Sequence, residues 1–515
     1  MSQSQNRRTF LATAGITVAS VVTPRLFAQP KNAPTPTQGT RESVAGMDAD
    51  HPTLVSYRTA IEGMQKLGTQ DPTNPLGWRF QANMHGAKNA DGMNTGWRWC
   101  MHGNWWFLPW HRGYLYFFEK IVRKLSGNDT FRLPYWAWEK DGQNVLPAPF
   151  RDARYKDKDN TLFDGTRVEA ANKGLSLRPN SQSGSFAMDW QTALAIERFT
   201  ATFAELSYGG IRKPKTAMPA KPTTTRQHGG MESNAHDLVH DAVGDDTGDM
   251  GDPDTAARDP IFWLHHANVD RLWNRWLDIK EHQLPDPADD KDWYDQEFPF
   301  YDETGKQVVV SVSKILELAD KESRYDDDRR LFAAAPPHAA REKAVEPTVV
   351  SVGAIQPMLA LGSKPFTKPL GLNKDTRPKL IAALDAPRAT VEAPVILLRV
   401  EGIKPPKDAR LAFEVFITKK GEKPSKKSYV GPISFFGRRG DGDHGHDENE
   451  GFTQGFDVTN LVQKLRTANR GVLPELEVSV VPHSTAGLSD EDLAKKDVVI
   501  PISNITLKLV AVGKK

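Results

Sequence analysis

The sequence predicts a mainly α domain, a helix bundle built around a histidine-rich centre, followed by an all-β sandwich or barrel. Two changes of texture along the 515 residues support this. Between about 51 and 285 the chain is dense in Trp and His and carries apolar stripes at helical spacing. From about 290 onward it changes to short β-branched runs that partly alternate, the pattern of strands with one buried face. The length leaves room for about three units of roughly 150 residues each.

The elements follow in order. Residues 7–22 read RRTFLATAGITVASVV, an arginine pair and then an apolar run too short to anchor in a bilayer. With Ala28 closing a weak cleavage pattern, residues 1–28 are expected to be a twin-arginine signal peptide. Such a signal exports proteins already folded and loaded with cofactor, so the mature chain is expected to be periplasmic or secreted. Residues 29–50, rich in Pro, Thr, Gln and Gly, are expected to be a flexible lead-in. His111–Leu125 places Tyr114, Phe118, Ile121 and Leu125 on one helical stripe. Phe262–Trp276 does the same with Phe262, His266, Val269, Trp273 and Trp276. Asp259-Pro260 before the second run suits a capped helix start. The stretches 172–185 and 211–230 read as loops. The segments 306–313, 394–400, 411–418, 476–482 and 504–512 read as strands, with the Pro/Ala/Lys-rich stretch 333–348 as a linker. The expected domains are therefore 51–330 (catalytic), 331–390 (connecting segment) and 391–515 (β-sandwich cover).

Composition removes several classes of function. With 67 Lys+Arg against 65 Asp+Glu, the formal charge of +2 gives no reason to expect nucleic acid or an anionic membrane as partner. One cysteine excludes an intrachain disulfide framework, a cysteine-based zinc site and an iron–sulfur cluster. Fourteen histidines remain as the candidate chemistry.

His236 and His240 are four residues apart, so on a helix both imidazoles leave from one face, about 40° apart. His265 and His266 follow on another predicted helix, where neighbours diverge by about 100° and only one can serve a given ion. His266 shares the apolar stripe and is the expected ligand. His265 lines up with Ile261, Asn268 and Leu272 and is read as a supporting or buried histidine. His85, His102 and His111 form a second set. His111 opens the first amphipathic helix, and His102, nine residues earlier, must lie in a loop that folds back toward it. Two imidazole triplets without thiolate or carboxylate suit copper or zinc.

The stretches QANMHGAKN and CMHGNWWFLPWHRGYLYFFEK resemble the copper A motif of type 3 copper proteins, the tyrosinase, catechol oxidase and hemocyanin group. ESNAHDLVH and DMGDPDTAARDPIFWLHHANVDRLW resemble copper B. LPYWAW at 133–138 also has the family look, and FEVFIT, YVGPISFF and VSVVPH resemble the C-terminal β domain of plant-type polyphenol oxidases. The resemblance implies two copper ions, on His85, His102 and His111 and on His236, His240 and His266, with O2 as co-substrate. It implies oxidation of o-diphenols, and hydroxylation of monophenols, to o-quinones, with a C-terminal domain that keeps the enzyme latent. The loop from Tyr429 to Phe436 is the candidate cover.

The family also implies site residues. Cys100 two positions before His102 matches members in which such a Cys is joined through sulfur to the histidine carbon; plant-type members place that Cys where this chain has Asn89. Glu232 matches a glutamate that holds a water. Asp237 stands where many members have Asn, a departure that puts monophenol hydroxylation in question. As a carboxylate it could serve as base or bind an amino group. Asp241 and Pro253 are placed at the substrate mouth, Pro253 where plant enzymes often carry a bulky Phe. The two charges would favour neutral or amine-bearing phenols over carboxylated ones. The expected partners are small phenols, with no integral membrane anchor in the mature form and a homo-oligomer left open. An o-aminophenol oxidase, an O2 carrier like hemocyanin and a dinuclear zinc hydrolase are the competing readings. The acidic loop carrying His444 and His446 could hold incoming copper, though a solvated loop explains it as well.

Overall fold

Five helices frame the N-terminal domain of the computed structural model: α1 (Pro52–Gln70), α2 (Trp78–His85), α3 (Phe107–Ser126), α4 (Asp237–Gly244) and α5 (Pro260–Leu277). The structure describes residues 39–512 except 88–95, 178–189, 226, 246, 281, 329–346, 356–358, 387–392, 405–410, 439–450, 485–489 and 496. The expected signal peptide, Asn89, most of the stretch 333–348, and His444 and His446 lie outside the described residues. Residues from Gln38 onward form one compact unit. Among the described residues, no helix is long and apolar enough to cross a membrane.

The two predicted amphipathic runs are the central pair. α3 begins four residues earlier than its stripe and stops at Gly127, whose left-handed φ of 68° suits a glycine. α5 starts where expected: the Asp259 carboxylate accepts from the Ile261 N–H, and Pro260 occupies the first turn. Their apolar faces meet at Phe118 and Trp263, stacked with ring centroids 3.4 Å apart. Charge joins them as well, through buried Arg112 and Asp270 at 2.5 Å. Part of the expected lead-in is integral to this packing. Thr40–Arg41 pairs with Arg324–Tyr325, and buried Arg41 bonds Glu119 at 2.9 Å. A cation that deep is stable only with carboxylates around it, and it fixes this end of the chain.

The run at 306–313 is a strand, but of the helical domain. Gln307–Ser311 forms a hairpin with Glu297–Tyr301, and Phe300 stacks on Phe117 of α3 at 5.3 Å. The strand ends where the Ser311 hydroxyl caps helix α6 (Val312–Glu322).

The C-terminal domain is a curled antiparallel sheet of eight strands: β1 (Pro347–Ile355), β2 (Phe366–Leu372), β3 (Val395–Ile403), β4 (Leu411–Lys419), β5 (Tyr429–Ile433), β6 (Phe452–Asp457), β7 (Leu476–Ser484) and β8 (Asn504–Val512). Their order is β5-β4-β7-β2-β1-β8-β3-β6. The sheet starts at Pro347 rather than at 391, so the expected connecting segment contributes β1, β2 and the helix Arg377–Asp385. β2 (FTKPLGL) is mostly exposed and buries Leu370 alone, so its sequence has no clear alternation. The end strands β5 and β6 come side by side because a Cβ at Gly431 would lie 2.6 Å from the Phe456 ring. Along β4, Leu411, Phe413, Val415 and Ile417 fill the barrel interior, while Ala412 joins the core of the helical domain. That is the two-residue period of a strand buried on both faces.

Candidate metal centre

The first histidine triplet comes from three separate elements. His85 ends α2, His102 lies in the loop before α3, and His111 sits in the second turn of α3. The ring centroids form a near-equilateral triangle with sides of 5.3, 5.5 and 5.6 Å. His85 Nδ1 lies 2.7 Å from the Pro253 carbonyl and His111 Nδ1 lies 2.8 Å from the Phe107 carbonyl. A carbonyl only accepts, so both Nδ1 atoms carry the proton and Nε2 is the nitrogen of each ring that bears a lone pair. Cys100 Sγ is 3.4 Å from His102 Nδ1 and 3.7 Å from Nε2, against the ring edge that carries the carbon between the two nitrogens. The same sulfur is 3.4 Å from His111 Nε2.

The second triplet is held by two helices. His236 closes a π-helical turn, Glu232–His236, that leads directly into α4. His240 lies on α4 and His266 on α5. His240 Nδ1 donates to the Met250 carbonyl at 2.6 Å, and His236 Nδ1 donates to Asp237 Oδ1 at 2.9 Å. Nε2 of His236 and His240 and both nitrogens of His266 are buried with no hydrogen-bond partner among the described residues. Buried polar atoms are seldom left so, and here they converge. His265 takes the other role: its Nδ1 accepts from the Trp138 indole N–H at 3.1 Å. An indole can only donate, so the His265 proton is on Nε2 and no lone pair remains for an ion.

The triplets face one another. His111 and His266 stack with centroids 4.2 Å apart and planes 6° from parallel, and His102 and His236 are 5.8 Å apart. Burial first, then the neighbouring imidazoles, pushes His102, His111, His236, His240 and His266 well below the usual histidine range. The rings are therefore neutral, the form that binds metal. Two facing groups of three imidazoles, with nitrogens of the second group otherwise left unsatisfied, fit two copper ions.

Beside the second triplet lies an acidic belt. Both Glu232 oxygens take the Gly103 N–H, at 3.1 and 3.0 Å. Gly103 is at φ 66°, and a Cβ there would lie 2.0 Å from the Thr225 carbonyl, so only glycine lets the loop bring this donor in. Burial, and then the nearby Asp237 charge, pushes the Glu232 carboxyl well above the usual range. Asp237 Oδ2 accepts from His228 Nδ1 at 2.7 Å while Oδ1 accepts from His236. With two imidazoles already donating to it, Asp237 is placed to orient them. Sequence reasoning missed His228, yet a signal existed: His228, Glu232, His236 and His240 recur at steps of four.

The C-terminal domain covers this belt through one short segment. Tyr429–Ile433, expected as a loop, is strand β5, and the contacts come from the residues just after it. The Ser434 hydroxyl donates to Asp241 Oδ2 at 2.6 Å. The Phe436 ring stacks on His240 at 3.9 Å with a 10° interplanar angle, and its edge meets His236 at 5.4 Å. Arg438 Nη2 reaches Asp237 Oδ2 at 3.5 Å, with both side chains buried. Asp241, expected at an open mouth, is thus buried beneath the β domain. Pro253 is half-buried next to Gly437. A second clasp pairs Arg399 of β3 with Glu205 at 2.9 Å.

The family model described as the common central domain of tyrosinase matches residues 75–279, and the polyphenol oxidase middle domain matches 288–335. A third, described as a domain of unknown function, matches 348–493. A tyrosinase of Hahella sp. (strain CCB-MM4), HcTyr1, is 30% identical over 470 residues, covering 86% of this chain and 95% of that one. The chloroplastic polyphenol oxidase of Vitis vinifera is 33% identical over 286 residues, 53% of this chain and 45% of its own length. Latent aurone synthase, a polyphenol oxidase, has the same fold with a TM-score of 0.60 at 20% identity, covering 93% of this chain and 91% of that one. Latent apple tyrosinase has a TM-score of 0.58 at 21% identity, covering 93% and 99%. With its dinuclear copper centre, the chain belongs to the tyrosinase and polyphenol oxidase family of type 3 copper proteins.

Proposed function

We propose that the protein is a latent phenol oxidase that converts o-diphenols to o-quinones with O2, with monophenols as slower substrates. The observation that carries it is the pair of facing triplets, His85, His102 and His111 against His236, His240 and His266, with a nitrogen of each ring within 4.8 Å of those of its own triplet. When bound there, the two coppers supply O2 binding and two-electron oxidation of the phenol. The protein's own part is to hold His85, His111 and His240 by carbonyls and His236 by Asp237, and to exclude water with Phe107, Phe262 and Phe436. Glu232 is assigned to hold the water that receives the phenol proton. Asp237, Asp241 and Pro253 are assigned to the space where the substrate enters once the cover has left. Cys100 is positioned for a thioether to His102. Such a bond shows as a mass about two units below that calculated, and an alkylatable Cys100 in denatured, copper-loaded protein would exclude it.

Phe436 occupies the face of His240 where a phenol ring would lie, so the covered form is the inactive one. Residues 51–330 are assigned as catalytic, 391–515 with β1 and β2 as the cover, and 1–28 as the export signal. The test is O2 uptake by copper-loaded full chain on 4-methylcatechol and 4-methylphenol, before and after limited proteolysis. Slow uptake that rises on cutting supports the reading. No uptake from either compound after cutting would favour an O2 carrier.

A further inference from the structure

Trp110 precedes His111 and packs against two rings of the first triplet, with centroids 4.9 Å from His111 and 6.2 Å from His85. From it a file of aromatic rings leads away from the centre. Tyr114, one turn on along α3, is 4.8 Å from Trp110, and Trp263 of α5 is 4.6 Å from Tyr114. Trp78, the first residue of α2, is 6.3 Å from Trp263. Trp110, Tyr114 and Trp263 are sealed, while Trp78 is 7% exposed, so the file reaches solvent there.

Hydrogen bonding sets these rings apart from ordinary core. The indole N–H groups of Trp110 and Trp263 are buried with no hydrogen-bond partner among the described residues. Packing alone would favour Phe at both places, because an unmet buried donor costs stability. The Trp78 N–H donates to the Arg258 carbonyl at 3.1 Å, and the Tyr114 hydroxyl donates to the Gln81 carbonyl. A carbonyl accepts a hydrogen bond but is too weak a base to take the proton. An indole of this file that gives up an electron therefore keeps its proton, and the electron can be returned without a proton moving. Tyr114 differs, since a phenol loses an electron readily only as its proton leaves, and burial holds that proton on. It bridges Trp110 and Trp263 without holding the charge. Trp273, also buried on α5, has the Arg112 guanidinium 3.8 Å from its ring centroid, a positive charge that opposes loss of an electron.

We infer that Trp110, Trp263 and Trp78 form an electron path that discharges the copper centre to the surface when it holds oxidant and no phenol. Trp110 yields one electron to the centre, Trp263 refills Trp110 through Tyr114, and Trp78 refills Trp263. A one-electron reductant in solution refills Trp78. Two such passages, with two protons from solvent, take hydrogen peroxide to two waters; four passages and four protons take O2 to two waters. Without a reductant the loss stays on Trp78, which gives up two electrons in succession while water adds to its ring as one oxygen and releases two protons. The path rests on the phenol-oxidase reading for its copper and its oxidant.

Two measurements test it. Copper-loaded full chain is given hydrogen peroxide without phenol or reductant, and its peptides are weighed by mass spectrometry, with copper-free chain in the same peroxide as baseline. The expected result is a gain of one oxygen at Trp78 above baseline. In Trp263→Phe that gain is lost and oxidation appears at Trp110, whereas Trp273→Phe keeps the parent pattern. Trp78 unmodified in the parent, or modified equally in Trp263→Phe, overturns the inference. Should Trp263→Phe not fold, Trp78→Phe decides: the gain moves inward to Trp263, and its failure to do so overturns the path. In the second measurement hexacyanoferrate(II), an anion too large and too charged to enter the centre, supplies the electrons. The parent chain converts it to hexacyanoferrate(III) as peroxide is consumed, with Trp78 spared, and Trp263→Phe loses this activity. Equal conversion by both chains overturns the inference. O2 uptake from 4-methylcatechol by the same preparation tests the oxidase reading separately, so uptake beside an unmodified Trp78 counts against the electron path alone.

Discussion

The two halves of the metal centre use the same ligand chemistry and are built in different ways. The His85, His102 and His111 side is gathered from a helix end, a loop and a second helix, and its fixings are internal: two carbonyls and a sulfur. The His236, His240 and His266 side comes from two helices and is bordered by Glu232, Asp237 and Asp241, two of which bond to the C-terminal domain. The C-terminal segment lies chiefly on the second half, where Phe436 stacks on His240 at 3.9 Å, and meets the first at His102, with ring centroids 6.0 Å apart. On the proposed function, selection of substrate and control of access fall mainly on the second half.

Removing ligands breaks that contrast most severely. His240→Ala is expected to reduce bound copper from two equivalents toward one and activity to background, as read by metal analysis and O2 uptake. Stripping copper from the whole protein comes next. If copper is held at a thousandfold excess over its Kd, its loss costs about 4 kcal/mol per ion, a lower Tm that re-addition restores. Phe436→Ala separates the halves without touching a ligand. Removing the ring costs about 3 kcal/mol of stability by denaturant titration and raises activity of the uncut chain about tenfold or more. The equivalent change on the first half, Phe107→Ala, is expected to destabilise similarly with no such rise. Arg399→Ala leaves Glu205 facing a lost cation and costs about 2 kcal/mol, with a smaller gain in activity. Ser434→Ala, which loses one hydroxyl on Asp241, is expected to cost about 1 kcal/mol.

The helical domain was largely legible because its helices alternate polar and apolar faces in register with 3.6 residues per turn. α5 in particular announces its start in Asp259-Pro260 and its face in Trp273 and Trp276. The choice of His266 over His265 follows from the same geometry, and His265 accepts the Trp138 indole N–H. Less was readable where burial comes from another domain. Asp241 reads as an exposed loop charge because nothing near it in sequence reveals that Ser434 lies on top. Arg438 and His228 escaped notice for that reason: their partners are distant in sequence or lie on a turn that is not α-helical. β1 and β2 were missed because their exposed faces blur the alternation on which strand reading depends.

The π-helical turn at Glu232–His236 has a further consequence. Apart from Glu232 and His236 themselves, a turn that carries one residue more than an α-helix needs depends more on its length than on which residues fill it. Deleting a single residue between 232 and 236 would let the segment relax into an ordinary helix. Glu232 would then turn about 100° away from the Gly103 N–H relative to the fixed His236–His240 face. In a lineage of such proteins the three positions between Glu232 and His236 should vary in composition more readily than in number, so that an indel scan would find a fragility there that substitutions at Ser233, Asn234 and Ala235 miss.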